Sequence, residues 1–486
     1  LKHMATSDFE HKHFDRTNPM SIFDYSRHLI GNSLRSLFGD SIIEAKRKGK
    51  GGLGQMVEEL FFNYEVNSDR NADFAEAHVE LKCTPLLKSK DNSYRIKERL
   101  VCTMIDYFEI VNTSFEDSHL ISKCQLMLLL FYLHVNGNAI YDYEFLFRVL
   151  WQLPEKDLLL IKQDYQTIAD KVRRGEAHLL SEGDTLYLGA CRKGQKGDSP
   201  QPQPNSDIKA NKRAISLKPA YMRYILGKGT GSGKTFYTNY AENEVEKFEL
   251  VTGQELQNNS FEEIILNRFK PFIGKNYIQI CDLLGIKAYQ AKSKYADVSA
   301  LIASNLESKR LGSSEEFVKS GIIMKTVRLQ ENGMPKESMS FKNIDYCEVY
   351  DNDDWLESDV YEIFTGRFMF VVFKPIKDET ISVYNNRTKE PVTEQSYALD
   401  SVFFWTMPAA DLELAKEYWL NIRYAVMSNN ITPERFWGLA DHKKFHVRPK
   451  AKDKSDKAIN PNGGLCDKLC YWFNAEYVKE IINGHE

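Results

Sequence analysis

The strongest hydrophobic signal in the chain is the nearly unbroken apolar run "LMLLLFYLHV", from Leu126 to Val135. It is too short to cross a bilayer and predicts a strand buried on both faces. Alternating apolar and polar positions predict further strands at "HVELKCT" and "ERLVCTMI". Apolar residues at helical spacing predict a helix from about Glu155 to Ala177, and "PMSIFDYSRHLIGNSLRSLFG" and "GLGQMVEELFF" read as helices ahead of the strands. Helices, then strands, then a helix and a closing basic loop describe an α/β fold with a mixed sheet flanked by helices.

The same pattern returns in the second half of the chain. "KERLVCTMIDYFEI" from Lys97 aligns without a gap on "KESMSFKNIDYCEV" from Lys336, an offset of 336 − 97 = 239. Ile105, Asp106, Tyr107 and Glu109 recur as Ile344, Asp345, Tyr346 and Glu348. "LMLLLFY" at Leu126 is echoed by "FMFVVFK" at Phe368, and "LWQLPEKDLLLIKQDY" at Leu150 by "FWTMPAADLELAKEYW" at Phe404. Within that last block Trp151, Pro154, Asp157, Leu158 and Lys162 reappear as Trp405, Pro408, Asp411, Leu412 and Lys416. Several blocks in one order, with a slowly growing offset, signal an internal duplication. Two tandem domains are expected, at 5–226 and 246–486, joined by a Gly-rich linker at 227–245.

That linker contains "GKGTGSGKT", Gly227 to Thr235, which resembles a phosphate-binding loop. The Walker A spacing needs a glycine where this chain has Lys228, and the run follows a helical pattern, not a strand. No nucleotide cofactor is expected. A length of 486 residues, 42% of them hydrophobic, suits two cores. No signal peptide is visible, the opening "LKHM" looks like a cloning remnant, and eight scattered cysteines form no disulfide framework. A bacterial cytoplasm and no membrane partner are therefore expected. Cys466, Cys470, His442 and His446 have neither the spacing nor the setting of a zinc site.

The net charge of −4 does not by itself announce nucleic acid, but the basic residues are unevenly placed. One group is "KRKGKGG", Lys46 to Gly52; the other runs from Arg192 to Lys234, where ten lysines and arginines face only Asp198 and Asp207. Such stretches are either solvated loops or the phosphate-contacting edges of a DNA groove. Chemistry enters with "NADFAEAHVELKCTP", which sets Asp73, Glu80 and Lys82 in a D-x6-E-x-K pattern. Glu80 and Lys82, two apart on a strand, share a face, and Asp73 approaches them from the preceding loop. Two carboxylates are what Mg²⁺ takes from a protein when waters and substrate phosphate complete its shell. A lysine beside it suits the attack of water on a phosphodiester. In the second copy Glu316 stands where Asp73 does, Ile323 replaces Glu80, and Lys325 is retained, so that half has lost the acidic site.

On "GLGQMVEELFF", "NADFAEAHVELKCTP", "KERLVCTMIDY" and the basic "CRKG…SLKPAYMR", the chain resembles the MutH family of DNA endonucleases, a branch of the PD-(D/E)xK nucleases. Its two-copy layout resembles the staphylococcal type of GATC-cutting type II restriction endonuclease, with a degenerate MutH-like second half. The resemblance implies two tandem restriction-endonuclease-like domains, Mg²⁺ on Asp73 and Glu80, Lys82 serving the water nucleophile, and Glu58 and Lys123 as further site residues. Thr365 would stand for Lys123 in the second copy. It also implies Arg192, Lys193, Lys218 and Tyr221 on the DNA-reading side, with Tyr221 alternatively a core residue, and Arg448 and Lys450 as contacts in the second copy. Double-stranded DNA is the expected partner, with a homodimer on DNA and a cognate methyltransferase as functional partner. A mismatch-repair nickase and a non-catalytic DNA-binding regulator are the rival readings.

Overall fold

The computed structural model describes residues 13–46, 52–64, 71–89, 92–193, 200–231, 236–238, 248–385, 387–441 and 444–485. The chain divides into two units, Leu1–Leu180 with Thr185–Lys247, and Ser181–Asp184 with Phe248–Glu486.

The first unit opens with helices α1 (Pro19–Ser26), α2 (Leu34–Lys46) and α3 (Leu53–Met56), the last running on into a π-helical turn at Val57–Phe61. Strands β1 (Glu80–Lys88), β2 (Tyr94–Ile96) and β3 (Leu100–Met104) follow. Then come α4 (Tyr107–Ile110), α5 (His119–Cys124), β4 (Leu126–Leu133), β5 (Phe145–Gln152) and α6 (Glu155–Arg173). The unit closes with β6 (Leu188–Arg192), β7 (Gln201–Gln203), β8 (Ser206–Ala210), β9 (Arg213–Leu217), α7 (Pro219–Gly231) and β10 (Phe236–Thr238).

The main sheet has the order β10-β5-β4-β1-β2, with β1 parallel to β4 and β5 antiparallel to it. The apolar run becomes its central strand: Leu126 to Phe131 are all buried, from both faces. A second sheet, β3-β9-β6, is antiparallel. Helix α6 buries Leu160, Ile161, Tyr165, Ile168, Ala169 and Val172, a stripe at helical spacing. It stops at Arg173, short of Ala177, because Gly175 takes a left-handed φ of +77°; a Cβ there would stand 2.5 Å from the Asn205 carbonyl oxygen.

The second unit begins with α8 (Gly253–Leu256), α9 (Phe261–Phe269), α10 (Tyr277–Leu284), α11 (Lys294–Ala303) and α12 (Glu315–Ser320). It continues with β11 (Ile323–Arg328), β12 (Met339–Asn343), α13 (Tyr346–Asp351), α14 (Asp359–Phe364), β13 (Phe368–Asn385), β14 (Glu390–Trp405) and α15 (Ala409–Met427). Last come β15 (Phe445–Pro449), β16 (Lys457–Ile459), β17 (Leu465–Asp467), β18 (Leu469–Phe473) and α16 (Ala475–Asn483). Its sheet β11-β13-β14 has the parallel-then-antiparallel order of β1-β4-β5, and β12-β18-β15 has the order of β3-β9-β6.

The repeated residues do the same work in each unit. Asp106 and Asp345 cap α4 and α13, each accepting two backbone N–H groups, and Tyr107 and Tyr346 reach the carbonyls of Asn211 and Asp467. Pro154 and Pro408 each stand at the N-cap of a 19-residue helix.

Two expectations change. The run after β6 is not one basic loop but the β7–β8 hairpin, β9 and α7, with β7 formed by the sequence QPQ of Gln201–Gln203. Nor is 227–245 simply a linker: α7 continues through Gly231, and Phe236–Thr238 pairs in parallel with Arg148–Leu150 at the sheet edge. The remainder of that segment, and 47–51 of the first basic group, lie outside the described residues.

Candidate active site

The parallel pairing of β1 with β4 sets Glu80 opposite Met127 at the start of both strands. Glu80, the first residue of β1, has its side chain only 2% exposed. Lys82, two residues on and on the same face, reaches its Oε1 at 2.6 Å. Lys123 leaves the last turn of α5, three residues ahead of Leu126, and donates to both Glu80 oxygens at 3.1 and 3.0 Å and to the Asn71 carbonyl at 3.0 Å. Asp73 lies in the loop that folds back on β1, fixed by the Phe74–Val79 bridge, and its Oδ2 accepts the Leu81 N–H at 2.8 Å. Glu58 sits on the π-helical turn and feels the charges of Asp73, Glu80, Lys82 and Lys123. The structure therefore brings all five expected residues together at one end of the sheet.

The electrostatics follow from crowding. Burial, with the nearby charges of Asp73 and Glu80, pushes Glu58 up to about 7. Burial and Glu80 likewise raise Asp73 well above the ordinary carboxylate range, against the opposing Leu81 N–H and the two lysines. Burial works against the Lys82 ammonium, but attraction to Glu80 and the hydrogen bond between them outweigh it and hold its pKa above normal. The site thus carries more buried negative charge than its lysines neutralise without strain. Among the described residues no three His, Cys, Asp or Glu side chains stand in position to ligate one ion by themselves. Two hard oxygen donors on a surplus of buried carboxylate nevertheless fit a divalent cation that keeps other oxygens in its shell.

The DNA-reading residues fare unequally. Lys193 is exposed at the end of β6, its N–H bonded to the Lys212 carbonyl at 3.0 Å, with half-buried Arg192 beside it. Lys218, expected there too, is turned inward: it is 7% exposed, donates to the Thr185 carbonyl and faces buried Asp164. Tyr221 is fully buried, its hydroxyl donating to Asp157 at 2.6 Å against Trp151 and Tyr187. Tyr477 makes the same bond to Asp411 at 2.6 Å in the second unit, so Tyr221 belongs to the fold of this helix pair rather than to a surface that meets DNA. Arg213, another of the basic group, is buried and spent on the Ala190 carbonyl. In the second unit Arg448 is exposed over the Trp472 ring, and Lys450 is held against Ser340 and Phe341. What sequence reasoning missed is backbone: the Leu81 N–H and Asn71 carbonyl that orient Asp73 and Lys123 leave no side-chain pattern to read.

A family model described as the DNA mismatch repair enzyme MutH matches residues 62–164, which hold Asp73, Glu80, Lys82 and Lys123. The type II restriction enzyme Sau3AI of Staphylococcus aureus is 33% identical over 510 residues, covering 95% of this chain and 98% of that enzyme. The chain belongs to the MutH-like family of type II restriction enzymes. DNA mismatch repair proteins MutH of Shewanella woodyi and Shewanella sp. strain MR-7 are 24% and 23% identical, over 38% and 40% of this chain. A MutH-like restriction enzyme is a site-specific deoxyribonuclease, and the cluster at the start of β1 is the candidate for its chemistry. Glu58 lies just ahead of the span that the family model matches.

Proposed function

We propose that the chain is a tandem duplication of a PD-(D/E)xK nuclease domain that cuts double-stranded DNA at a short site, GATC by its family, with one working active site in the first unit. The observation that carries this reading is the convergence of Asp73, Glu80, Lys82, Glu58 and Lys123 where β1 and β4 begin. Asp73 and Glu80 would hold Mg²⁺, with Glu58 as the further carboxylate. Bound there, Mg²⁺ would polarise the phosphate and make water a better nucleophile at neutral pH. Lys123 holds Glu80 and the Asn71 carbonyl in place and presents positive charge to the phosphate. Lys82 would orient the attacking water and, once Glu80 is engaged elsewhere, receive its proton more readily, since Glu80 is what holds its pKa up. In-line attack would leave a 5′-phosphate and a 3′-hydroxyl.

The second unit supports the duplication and lacks the chemistry. At the start of β11, Ile323 pairs opposite Phe368, the place Glu80 takes opposite Met127; counted back from those partners, Lys123 falls at Phe364, next to the expected Thr365, and neither supplies a cation. Glu316 is spent on the N–H groups of Leu250 and Val251 at 2.9 and 3.2 Å. That unit is read as the DNA-binding or allosteric half. The enzyme would act in a bacterial cytoplasm beside a cognate methyltransferase, sensitive to methylation of its site and pairing as a homodimer on DNA. The coverage of almost the whole Sau3AI chain favours this over a strand-nicking role like that of the shorter MutH proteins. The test is cleavage of unmethylated and adenine-methylated plasmid with Mg²⁺ by the wild type and Lys82→Ala, with ends mapped by sequencing. Linear products with GATC ends from the wild type alone support the reading; intact plasmid under every condition, with DNA bound, overturns it.

A further inference from the structure

Losing its carboxylate left the second unit with a cation it no longer neutralises. Lys325 keeps the strand position of Lys82, but where Lys82 has Glu80 at 2.6 Å, Lys325 has Ile323 two residues before it. Its ammonium donates to the Ser340 carbonyl at 2.6 Å and lies 4.5 Å over the Phe341 ring. Lys450, just past the end of β15, comes to the same two residues, donating to the Ser340 hydroxyl at 2.9 Å and the Phe341 carbonyl at 3.2 Å. The Cys470 thiol also reaches the Phe341 carbonyl, at 3.1 Å.

Two ammonium groups therefore meet on adjacent residues of β12, and among the described residues the acceptors they are bonded to are all neutral. Burial and the charge of Lys450 push Lys325 down to about 8, the opposite of what happens to Lys82. Each ammonium has three N–H donors, and Lys325 spends one on a protein acceptor while Lys450 spends two. Two like charges with spare donors and no carboxylate between them suit one small multivalent oxyanion. Exposed Arg448, two residues before Lys450 on the same strand edge, adds a third cation nearby.

We propose that Lys325 and Lys450 form a metal-independent binding site for a DNA phosphodiester in the second unit, on the remains of the cleavage site. Lysine charge there takes the place that carboxylate-bound metal holds in the first unit. The phosphate is bound and not cut, because no group remains to activate water. The proposal rests on the reading of the second unit as a DNA-binding relative.

Trace acetylation of the full-length wild type in EDTA at pH 8, quantified lysine by lysine by mass spectrometry, tests it without any variant that must fold. An unmethylated GATC duplex at micromolar concentration should lower labelling of both Lys325 and Lys450 by about fivefold, and inorganic phosphate should need millimolar concentrations to do the same. Ile323→Glu, which restores a carboxylate beside Lys325, should remove most of that protection in EDTA. If the duplex protects other lysines of the second unit, such as Lys452 and Lys457, but leaves Lys325 and Lys450 unchanged, that unit binds DNA elsewhere and the site is wrong. Protection of Lys123 and Lys193 with none anywhere in the second unit overturns the DNA-binding reading itself, and the site with it. Equal protection by duplex and inorganic phosphate at the same concentration means a free-anion site, and overturns the assignment to DNA.

Discussion

Two side chains make the proposed chemistry testable one residue at a time. Lys82 is the cation nearest Glu80, so Lys82→Ala should lower the cleavage rate by about 10²–10³-fold while specific DNA binding in Ca²⁺, measured by fluorescence anisotropy, persists. Glu58 adds a pH signature. Its pKa rises from 4.5 to about 7, so between those values the folded protein without metal binds more protons than the unfolded chain. As far as this group is concerned, stability of the metal-depleted enzyme should therefore be fully present at and below about pH 4.5 and be lost as pH rises through 7. Metal binding needs the ionised carboxylate and runs the other way, so the rise in Tm that Mg²⁺ gives in calorimetry should be small at pH 6 and larger at pH 8. An Mg²⁺ effect independent of pH over that range would remove Glu58 from the site. Tyr221 offers the converse case. Tyr221→Phe leaves buried Asp157 without its 2.6 Å donor and should cost about 1–3 kcal/mol in urea unfolding, with kcat/KM on DNA unchanged.

Among the elements, those carried by local chemistry were the legible ones. The apolar β4 and the stripe of α6 follow from near neighbours in sequence, and so did the shared face of Glu80 and Lys82; Asp106 and Asp345 showed as a repeat, and the structure makes them helix caps. The equivalence of Asp106 and Asp345 predicts equal consequences: either one changed to Ala exposes two helical N–H groups and should destabilise its own unit by about 1 kcal/mol, read in chemical denaturation. Illegible were the features that depend on distant partners. Lys218 reads as a surface cation until the fold sets it against the Thr185 carbonyl and Asp164. The Gly-rich run reads as free linker because nothing local shows that β5 offers an edge to Phe236–Thr238. The Lys325–Lys450 pair joins residues 125 apart (450 − 325) through β12, a contact that no spacing announces.

For the whole molecule, the decisive consequence is the count of active sites. On the proposed reading, one chain supplies one cluster of Asp73, Glu80 and Lys82 among its described residues, and its second unit has Ile323 where the metal-holding carboxylate would be. A duplex has two strands of opposite polarity, so one such cluster would cut one strand per encounter. Double-strand cleavage then needs either two chains on one site or release and rebinding between nicks. These routes separate in a plasmid assay. If two chains pair on DNA, linear product should appear with little nicked circle, and its rate should rise about as the square of enzyme concentration below saturation. If one chain nicks twice, nicked circle should build up first and decay to linear, with both steps first order in enzyme. We expect the paired route, because a type II enzyme that left long-lived nicks would give repair time to undo the first cut. Ile323→Glu should lower the rate, because it weakens phosphate binding at Lys325 and Lys450, without changing the order in enzyme: a carboxylate restored at the start of β11 still lacks a lysine in the place of Lys123 and a free acid in place of Glu316, whose oxygens are held by Leu250 and Val251. Linear product at first order in that variant would mean that the second unit had become a nuclease again, and that its loss of function rested on one residue.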